Sequence, residues 1–158
     1  MEYTMREAKI SDYEKLQAIH KEVHAFHVNG RPDIYKEAEK TLDKQYFAQL
    51  VESDEGVIYV IENKTEIIGF TILRINESPN RATITKRKYL FMEDLGVNER
   101  YRSHGLGRKL FQQAMEFANE NDAATLELGV WEFNEDAINF YKSMGMNNQA
   151  RKMEIRIE

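Results

Sequence analysis

The sequence predicts a three-layer α/β fold, with helices on both faces of a mixed sheet of about six to seven strands. Strand patterns and helix patterns alternate along the chain, and helix signals occur both before and after the central strands. No repeat, low-complexity tract or linker interrupts this order. A chain of 158 residues can bury a core of its own, so we assign residues 1–158 to a single domain.

The first half of the chain predicts one strand, two helices and a hairpin. Ser11 and Glu14 occupy the two positions of a capping box, which begins the first helix. Gly30 and Pro32 end this helix because glycine and proline together break helices. The tight turn at residues 63–65 joins two strands rich in β-branched residues. The predicted elements are a strand at 3–9, a helix from 11, a helix at 36–51, and strands at 57–62 and 66–75.

The second half predicts three strands separated by two helices. Leu106, Leu110 and Ala114 recur at helical spacing after a long apolar strand. Asn134 is a good N-cap for the last helix, and Gly145 is a good C-cap. The predicted elements are a strand through residue 97, a helix from 106, a strand at 125–130, a helix from 134 and a closing strand at 148–157.

Composition and charge exclude several functions. The chain has no cysteine, so a cysteine nucleophile and a thiolate metal site are impossible, and a reducing cytoplasmic location is expected. No signal peptide or membrane-spanning stretch is apparent, and no membrane partner is expected. The net charge is −5, yet residues 86–109 carry seven basic and three acidic side chains, or +4, which leaves −9 for the rest. An acidic body argues against nucleic-acid binding, whereas the basic segment suits a ligand with several phosphates.

A glycine-bearing turn stands between the long strand and the following helix. It has the sequence Arg102-Ser103-His104-Gly105-Leu106-Gly107. Unpaired N–H groups at a helix start, together with the helix dipole, favour a phosphate. Glycine lets an anion approach the main chain closely. Leu110 excludes the dinucleotide-binding fingerprint, and Arg108-Lys109 after Gly107 excludes a Walker loop.

This turn and a second motif resemble the GNAT N-acetyltransferase superfamily. The turn matches the superfamily's Arg/Gln-x-x-Gly-x-Gly/Ala pyrophosphate loop. The second motif, which runs from Asn134 to Met146, is Asn-x-x-Ala-x-x-Phe-Tyr-x-x-x-Gly-Met. The resemblance implies a sheet in which two parallel strands splay apart to hold coenzyme A. It also implies acetyl transfer from acetyl-CoA to a primary amine by direct attack in a ternary complex.

The resemblance also implies the donor site. The turn would bind the pyrophosphate, the main chain of residues 95–97 would pair with the pantetheine arm, and Asn134 would contact that arm or serve only as a helix cap. Tyr141 would protonate, or donate a hydrogen bond to, the leaving thiolate; a core role is the alternative. The donor-binding residues predicted in this way are Leu95, Gly96, Val97, Arg102, Ser103, His104, Gly105, Leu106, Gly107, Arg108, Asn134 and Tyr141.

Two acids within the apolar strand are the candidates for the catalytic base. Strand alternation places Glu93 on the face of Leu95 and Val97, and Asp94 on the opposite face. The run Glu-Asp-x-x-Val is similar to that of spermidine/spermine acetyltransferases, which implies that Glu93 helps to deprotonate the amine. Asp94 or an ordered water is the next candidate, and exposure of both acids at a strand edge is the alternative.

The acceptor site is expected near the end of the first helix. Its predicted residues are His27, Arg31, Tyr35 and Asp94. We predict no metal site, because His24 and His27 lack an evident third ligand. The acceptor is a small-molecule or peptide amine, and a homodimer is possible. Two other functions stay open: a domain that binds coenzyme A as a sensor or scaffold without turnover, and an enzyme that uses a different acyl donor.

Overall fold

A five-stranded mixed sheet lies between two layers of helices. The computed structural model of the protein describes residues 2–158. The strands lie in the order β1-β2-β3-β4-β5, and all neighbours are antiparallel except β4 and β5. The elements are β1 (Thr4–Glu7), α1 (Tyr13–Gly30), α2 (Lys44–Glu52), β2 (Gly56–Glu62), β3 (Ile67–Glu77), β4 (Lys88–Val97), α3 (Leu106–Glu120), β5 (Leu126–Glu127) and α4 (Glu135–Ser143).

The two faces of the sheet bury separate hydrophobic clusters. On one face α3 contributes Leu106, Leu110 and Ala114, all buried, as their helical spacing predicts. On the other face α1 and α2 bury Leu16 and Phe47 against β2 and β3. The predicted three-layer α/β fold is confirmed. None of the helices in residues 2–158 has the length and apolar character that crossing a bilayer requires.

The second predicted helix is shorter than its apolar pattern suggests. It begins at Lys44 rather than at residue 36, and the Asp43 side chain caps it by accepting from the Gln45 N–H at 3.0 Å. The preceding loop is fixed instead by Gln17, whose side chain accepts from the Leu42 N–H at 2.8 Å and donates to the Glu39 carbonyl at 3.2 Å. These tertiary bonds from α1 satisfy the backbone that a longer helix would have used.

The predicted closing strand at residues 148–157 is absent from the sheet. Among residues 2–158, the sheet therefore has five strands rather than six to seven, with β5 at one edge. The strand predicted at 125–130 is also reduced, since only Leu126 and Glu127 pair with β4. The hairpin of β2 and β3 is confirmed, and the Asn63 side chain holds its turn by accepting from the Thr65 and Glu66 N–H groups.

The start of α1 depends on Asp12 rather than on the predicted Ser11–Glu14 capping box. Ser11 lies inside a short 3₁₀ turn, Ile10–Asp12, and α1 begins after it. The buried Asp12 carboxylate accepts from the Lys9 N–H at 2.7 Å and from both terminal nitrogens of Arg6 at 2.7 and 2.9 Å. Chiefly because of the Arg6 hydrogen bonds, the pKa of Asp12 is lowered.

Replacing Asp12 with asparagine is expected to destabilise the fold by about 2 kcal/mol at pH 7, the usual cost of losing charged hydrogen bonds. A carboxylate with a lowered pKa stabilises the fold above its unfolded pKa and stops doing so as pH falls through its folded pKa. The difference between wild type and Asp12→Asn should therefore shrink at pH 3 in urea unfolding experiments. Glu14→Gln is the control, because Glu14 is exposed and its ion pair with Lys40 lies at the surface. An equal difference at both pH values would contradict the assignment.

Candidate active site

A pocket of about 510 Å³ opens where β4 and β5 separate. The two strands pair only at Leu90 with Leu126 and at Phe91 with Glu127. Beyond this point β4 continues to Val97 and pairs with β3 alone. The residues that follow β5, Leu128 to Trp131, form the opposite wall of the pocket. The splay of two parallel strands, which the sequence resemblance implied, is therefore present.

The predicted phosphate-binding turn forms one end of this pocket. Ser103 and Gly105 both adopt left-handed backbone conformations, with φ of 66° and 78°. The backbone N–H groups of residues 103–108 meet no protein acceptor within residues 2–158. They lie at the start of α3, where the helix dipole is positive. The turn thus presents a row of free donors suited to an anion.

Only part of the basic segment faces the pocket. Arg87 pairs with Glu127 at 2.7 Å, and Arg100 pairs with Glu66 at 2.9 Å. Arg102 and Arg108 line the pocket beside the turn. Arg102 also donates to the Val97 carbonyl at 3.3 Å, which ties the turn to the end of β4. The positive charge available to a phosphorylated ligand therefore comes from Arg102 and Arg108.

The end of β4 leaves one backbone edge free toward the pocket. Residues 95–97 pair with β3 on their other side and line the pocket. At Gly96 an added Cβ would lie 2.6 Å from Val23 and 2.8 Å from Phe70, so only glycine lets α1 pack this closely. An extended ligand could add to this edge as a further strand.

A β-bulge in β4 places both candidate acids on the same face of the sheet. Asp94 is opposite Ile72 and Met92 is opposite Leu73, so Glu93 is the extra residue. Before the bulge Met92 packs toward α3, and after it Leu95 does so. The prediction that alternation separates Glu93 from Asp94 is wrong, because it assumed an uninterrupted strand. Both carboxylates instead face the layer of α1 and α2.

The Glu93 carboxylate is held through one of its two oxygens. The Tyr46 hydroxyl donates to Oε1 at 2.5 Å, and Arg74 pairs with the same oxygen at 3.0 Å. Burial and this hydrogen bond raise the pKa of Tyr46 to about 12. Within residues 2–158 the other oxygen, Oε2, has no protein donor. Glu93 is therefore positioned by two side chains and still has an oxygen that can accept a proton.

Asp94 lies among ionisable side chains of α1 and α4. His20 Nε2 is 3.4 Å from Asp94 Oδ2, and His20 Nδ1 is 2.8 Å from the Thr41 hydroxyl. Burial lowers the pKa of His27, although the charge of Asp94 acts in the opposite direction. His27 is thus largely uncharged at neutral pH, and it lines the pocket beside Asp94.

Tyr141 lies on α4 with its ring against Phe111 and Phe140, at centroid distances of 6.3 and 5.3 Å. Its hydroxyl makes no hydrogen bond within residues 2–158, and the side chain lines the pocket. Burial, and secondarily the charge of Asp94, raise the pKa of Tyr141 to about 12. The phenol therefore keeps its proton at neutral pH and is free to donate it.

Asn134 caps α4 and lines the pocket at the same time. Its Oδ1 accepts from the Ala137 N–H at 3.2 Å, as a helix N-cap does. The side-chain amide donors make no hydrogen bond among residues 2–158. The two interpretations of Asn134, a cap and a ligand contact, are therefore compatible.

Comparison with known proteins gives the family. The model of the acetyltransferase (GNAT) family matches residues 16–146. An uncharacterised N-acetyltransferase of Lactobacillus delbrueckii subsp. lactis is 30% identical over 118 residues, which cover 75% of this chain and 67% of that protein. The chain belongs to the GNAT family of acetyltransferases.

Solved structures agree with this assignment. The crystal structure of a mutant Bacillus halodurans protein superposes with a TM-score of 0.93 at 31% identity, covering 98% of this chain and 99% of that chain. An aminoglycoside N-acetyltransferase in complex with CoA shares the fold, with a TM-score of 0.76 at 12% identity, and covers 99% of this chain and 95% of that one. The family match makes the protein an N-acetyltransferase, and the solved structures agree with that family in fold.

Most of the residues predicted for the donor and acceptor sites line one pocket. Three of them do not: one from the donor site and two from the acceptor site. His104 is exposed outside it. Tyr35 and Arg31 lie behind the wall: Tyr35 accepts from the Trp131 indole N–H at 3.0 Å, and Arg31 lies over the Trp131 ring at 4.8 Å. These two side chains contact Trp131, and their role at the acceptor site stays a prediction.

Sequence reasoning missed several residues of the pocket wall. Trp131, Phe26 and Asp136 line it, in addition to the predicted residues. Trp131 is the only tryptophan of the chain and follows a predicted strand, so its position beside the splay was a usable signal. Phe26 is 46% exposed at the end of α1, and nothing in the helical pattern distinguishes it from a surface residue.

Proposed function

We propose that the protein transfers the acetyl group of acetyl-CoA to a primary amine by direct attack in a ternary complex. The observation that carries this proposal is the continuity of one pocket, which extends from the N–H groups of the Arg102–Arg108 turn to the carboxylates of Glu93 and Asp94. A long donor bound at the turn would bring its acyl end to the acids. An acyl-enzyme on cysteine is impossible because the chain has none.

Donor binding would rest on main-chain groups together with the side chains of Arg102, Arg108 and Asn134. The free N–H groups of residues 103–108 and the side chains of Arg102 and Arg108 would bind the pyrophosphate. The free edge of residues 95–97 would pair with the pantetheine amides. Asn134 would donate to the same arm. Together these contacts would hold the reacting carbon in place, which is a large part of the catalytic effect in a two-substrate reaction.

Glu93 would deprotonate the amine, and Tyr141 would stabilise the leaving thiolate. Glu93 Oε2 would accept a proton from the ammonium group, directly or through water, so that the neutral nitrogen bonds to the acyl carbon as the carbon–sulfur bond breaks. Tyr141 would donate a hydrogen bond to the departing thiolate. Because its pKa is about 12, and thiols ionise near 8.5, stabilisation by hydrogen bonding is favoured over complete proton transfer.

The walls of the acceptor end favour a cationic amine. Glu93, Asp94 and Asp136 supply negative charge, and Trp131 supplies an aromatic face. Ammonium groups bind well between carboxylates and aromatic rings. Either a small-molecule amine or a peptide amine has this chemistry, and nucleic acid does not fit an acidic site.

A screen of primary amines for CoA release with acetyl-CoA tests the proposed function. Release that depends on an amine, together with an acetylated product of the expected mass, supports it. Succinyl-CoA in parallel tests the alternative donor. Calorimetric binding of acetyl-CoA without release, across polyamines, amino acids, aminoglycosides and peptides, would instead support a sensor or scaffold.

Tyr141→Phe separates a role in chemistry from a role in packing. We expect acetyl-CoA to bind unchanged while kcat falls by about 10–10³-fold, because the ring is kept and only the donor to the thiolate is lost. The loss should be smaller with acyl donors whose thiols leave more readily. Tyr59→Phe is the matched control, since Tyr59 is buried outside the pocket. Unchanged turnover in a stable Tyr141→Phe protein would remove Tyr141 from the mechanism.

A further inference from the structure

Exposed apolar side chains line part of the pocket. Phe26 of α1 is 46% exposed, and Val130, in the segment after β5, is 38% exposed. Trp131 lines the pocket next to Val130, and we call these three side chains the apolar wall. The wall belongs to the acceptor end, because Phe26 adjoins His27, which is close enough to Asp94 to be affected by its charge. Exposed apolar side chains in a concave site mark a surface that a ligand covers.

Contacts within the protein hold the apolar wall in place. The Phe133 ring packs against Phe26 and Trp131, with centroid distances of 5.7 and 6.4 Å. An added Cβ at Gly30 would collide with the Phe133 ring, so glycine at the end of α1 makes room for this packing. The Trp131 indole N–H donates to the Tyr35 hydroxyl at 3.0 Å. The wall is therefore built from two parts of the chain that are packed together.

Asp94 is the carboxylate at this end that protein groups leave most available to a ligand. Glu93 is paired with Arg74 at 3.0 Å. The contact of Asp94 with His20 is 3.4 Å long, which exceeds the usual hydrogen-bond range. His27 is largely uncharged at neutral pH because burial lowers its pKa. Asp94 can therefore bind one ammonium group.

The remaining charges near the wall are offset. Asp136 lies in the first turn of α4, where the positive end of the helix dipole stabilises a carboxylate. Arg31, which lies over the Trp131 ring, pairs with Asp33 at 2.9 Å. The wall itself contributes only apolar side chains. A second ammonium group carried toward the wall would lose hydration there without gaining a partner.

We propose that the acceptor is a primary monoamine with an apolar body. Asp94 binds its ammonium group, and the apolar wall of Phe26, Val130 and Trp131 covers its body. The inference rests on the proposed acetyl transfer and narrows its acceptor. Polyamines and aminoglycosides carry several ammonium groups, and an α-amino acid carries a carboxylate that Asp94 repels, so the same wall and acid act against all three.

A matched pair of acceptors tests the preference. Hexylamine and 1,5-diaminopentane have the same number of heavy atoms, and they differ in ending with a methyl or a second ammonium group. With acetyl-CoA as donor, kcat/KM measured by CoA release should be at least about tenfold higher for hexylamine. From propylamine to hexylamine, kcat/KM should rise by about three- to fourfold per methylene, as each one is buried against the wall.

Two variants of Phe26 test the wall itself. Phe26→Ala should reduce the gain per methylene to less than about twofold, because less apolar surface is left to cover. Phe26→Glu gives a second ammonium group a partner and should shift the kcat/KM ratio toward the diamine by at least about tenfold. Ile84→Glu is the matched control, since Ile84 is 43% exposed but outside the pocket, and its ratio should equal that of wild type. Thermal unfolding establishes that each variant is folded.

The outcomes separate this inference from the proposed function. Acetylation of both amines with the diamine favoured, or a Phe26→Glu ratio equal to that of wild type, would overturn the inference and leave acetyl transfer intact. Weaker acetyl-CoA binding by Phe26→Ala in calorimetry, with an unchanged alkylamine series, would mean that the wall covers the donor and would also overturn it. CoA release with none of the amines would overturn the proposed function and this inference together.

Discussion

Replacing Glu93 with glutamine is expected to lower kcat/KM for the amine by about 10²–10⁴-fold, the usual loss when a general base is removed. Glutamine keeps the shape of the side chain and an oxygen for the Tyr46 hydroxyl to donate to, so the loss should reflect the missing proton acceptor. Acetyl-CoA affinity, measured by calorimetry, should be unchanged, because Glu93 lies at the opposite end of the pocket from the phosphate-binding turn.

The pH dependence of the Glu93→Gln rate should distinguish the loss of a base from a change in shape. An amine that finds no base in the enzyme must bind in its neutral form, and that form becomes more abundant as pH rises. The Glu93→Gln rate should therefore recover in part at high pH, whereas the wild-type rate should reach its plateau earlier. A variant whose rate and pH profile match wild type would exclude Glu93 as the base.

Two controls separate the base from the groups around it. Tyr46→Phe removes a hydrogen bond to Glu93 but leaves the carboxylate, so its rate should fall by no more than about tenfold. Asp94→Asn and His27→Gln test the other proton acceptors in the pocket, since Asp94 is a carboxylate and the lowered pKa of His27 keeps it neutral. If only one of these two variants shows the large loss with pH recovery, that residue is the base.

The parts of the fold that depend on local sequence were predictable. Helical spacing at Leu106 and Leu110, the Asn134 cap and the left-handed glycine at Gly145 act within a few residues, so a single chain carries their full signal. The phosphate-binding turn belongs to the same class, although the left-handed conformation of Ser103 was not foreseen.

Features that depend on distant contacts were not predictable. The β-bulge at Glu93 is visible only as the register between β3 and β4, and it put Glu93 on the same face as Asp94 instead of on the opposite face. The short α2 reflects hydrogen bonds from Gln17, far back in α1. Trp131 reaches the pocket only because β5 separates from β4. The C-terminal segment has the pattern of a strand, but it pairs with no strand of the sheet among residues 2–158.

Replacing Gly107 with glutamate is expected to weaken acetyl-CoA binding by at least about 100-fold while the fold survives. A carboxylate in the first turn of α3 would face the bound phosphates at close range, and like charges a few ångströms apart near a protein surface repel by several kcal/mol. The fold should tolerate the change, because an added Cβ lies 3.5 Å from Phe140, an ordinary contact.

Gly107→Ala is the matched control for the Gly107→Glu variant. It adds the same Cβ without the charge, and the corresponding position of the family motif accepts alanine, so acetyl-CoA affinity should change by less than about tenfold. Circular dichroism and thermal unfolding establish that both variants are folded, and titration calorimetry then gives their affinities. If folded Gly107→Glu bound acetyl-CoA as tightly as wild type, the phosphates would have to lie elsewhere, and the assignment of the Arg102–Arg108 turn would be wrong.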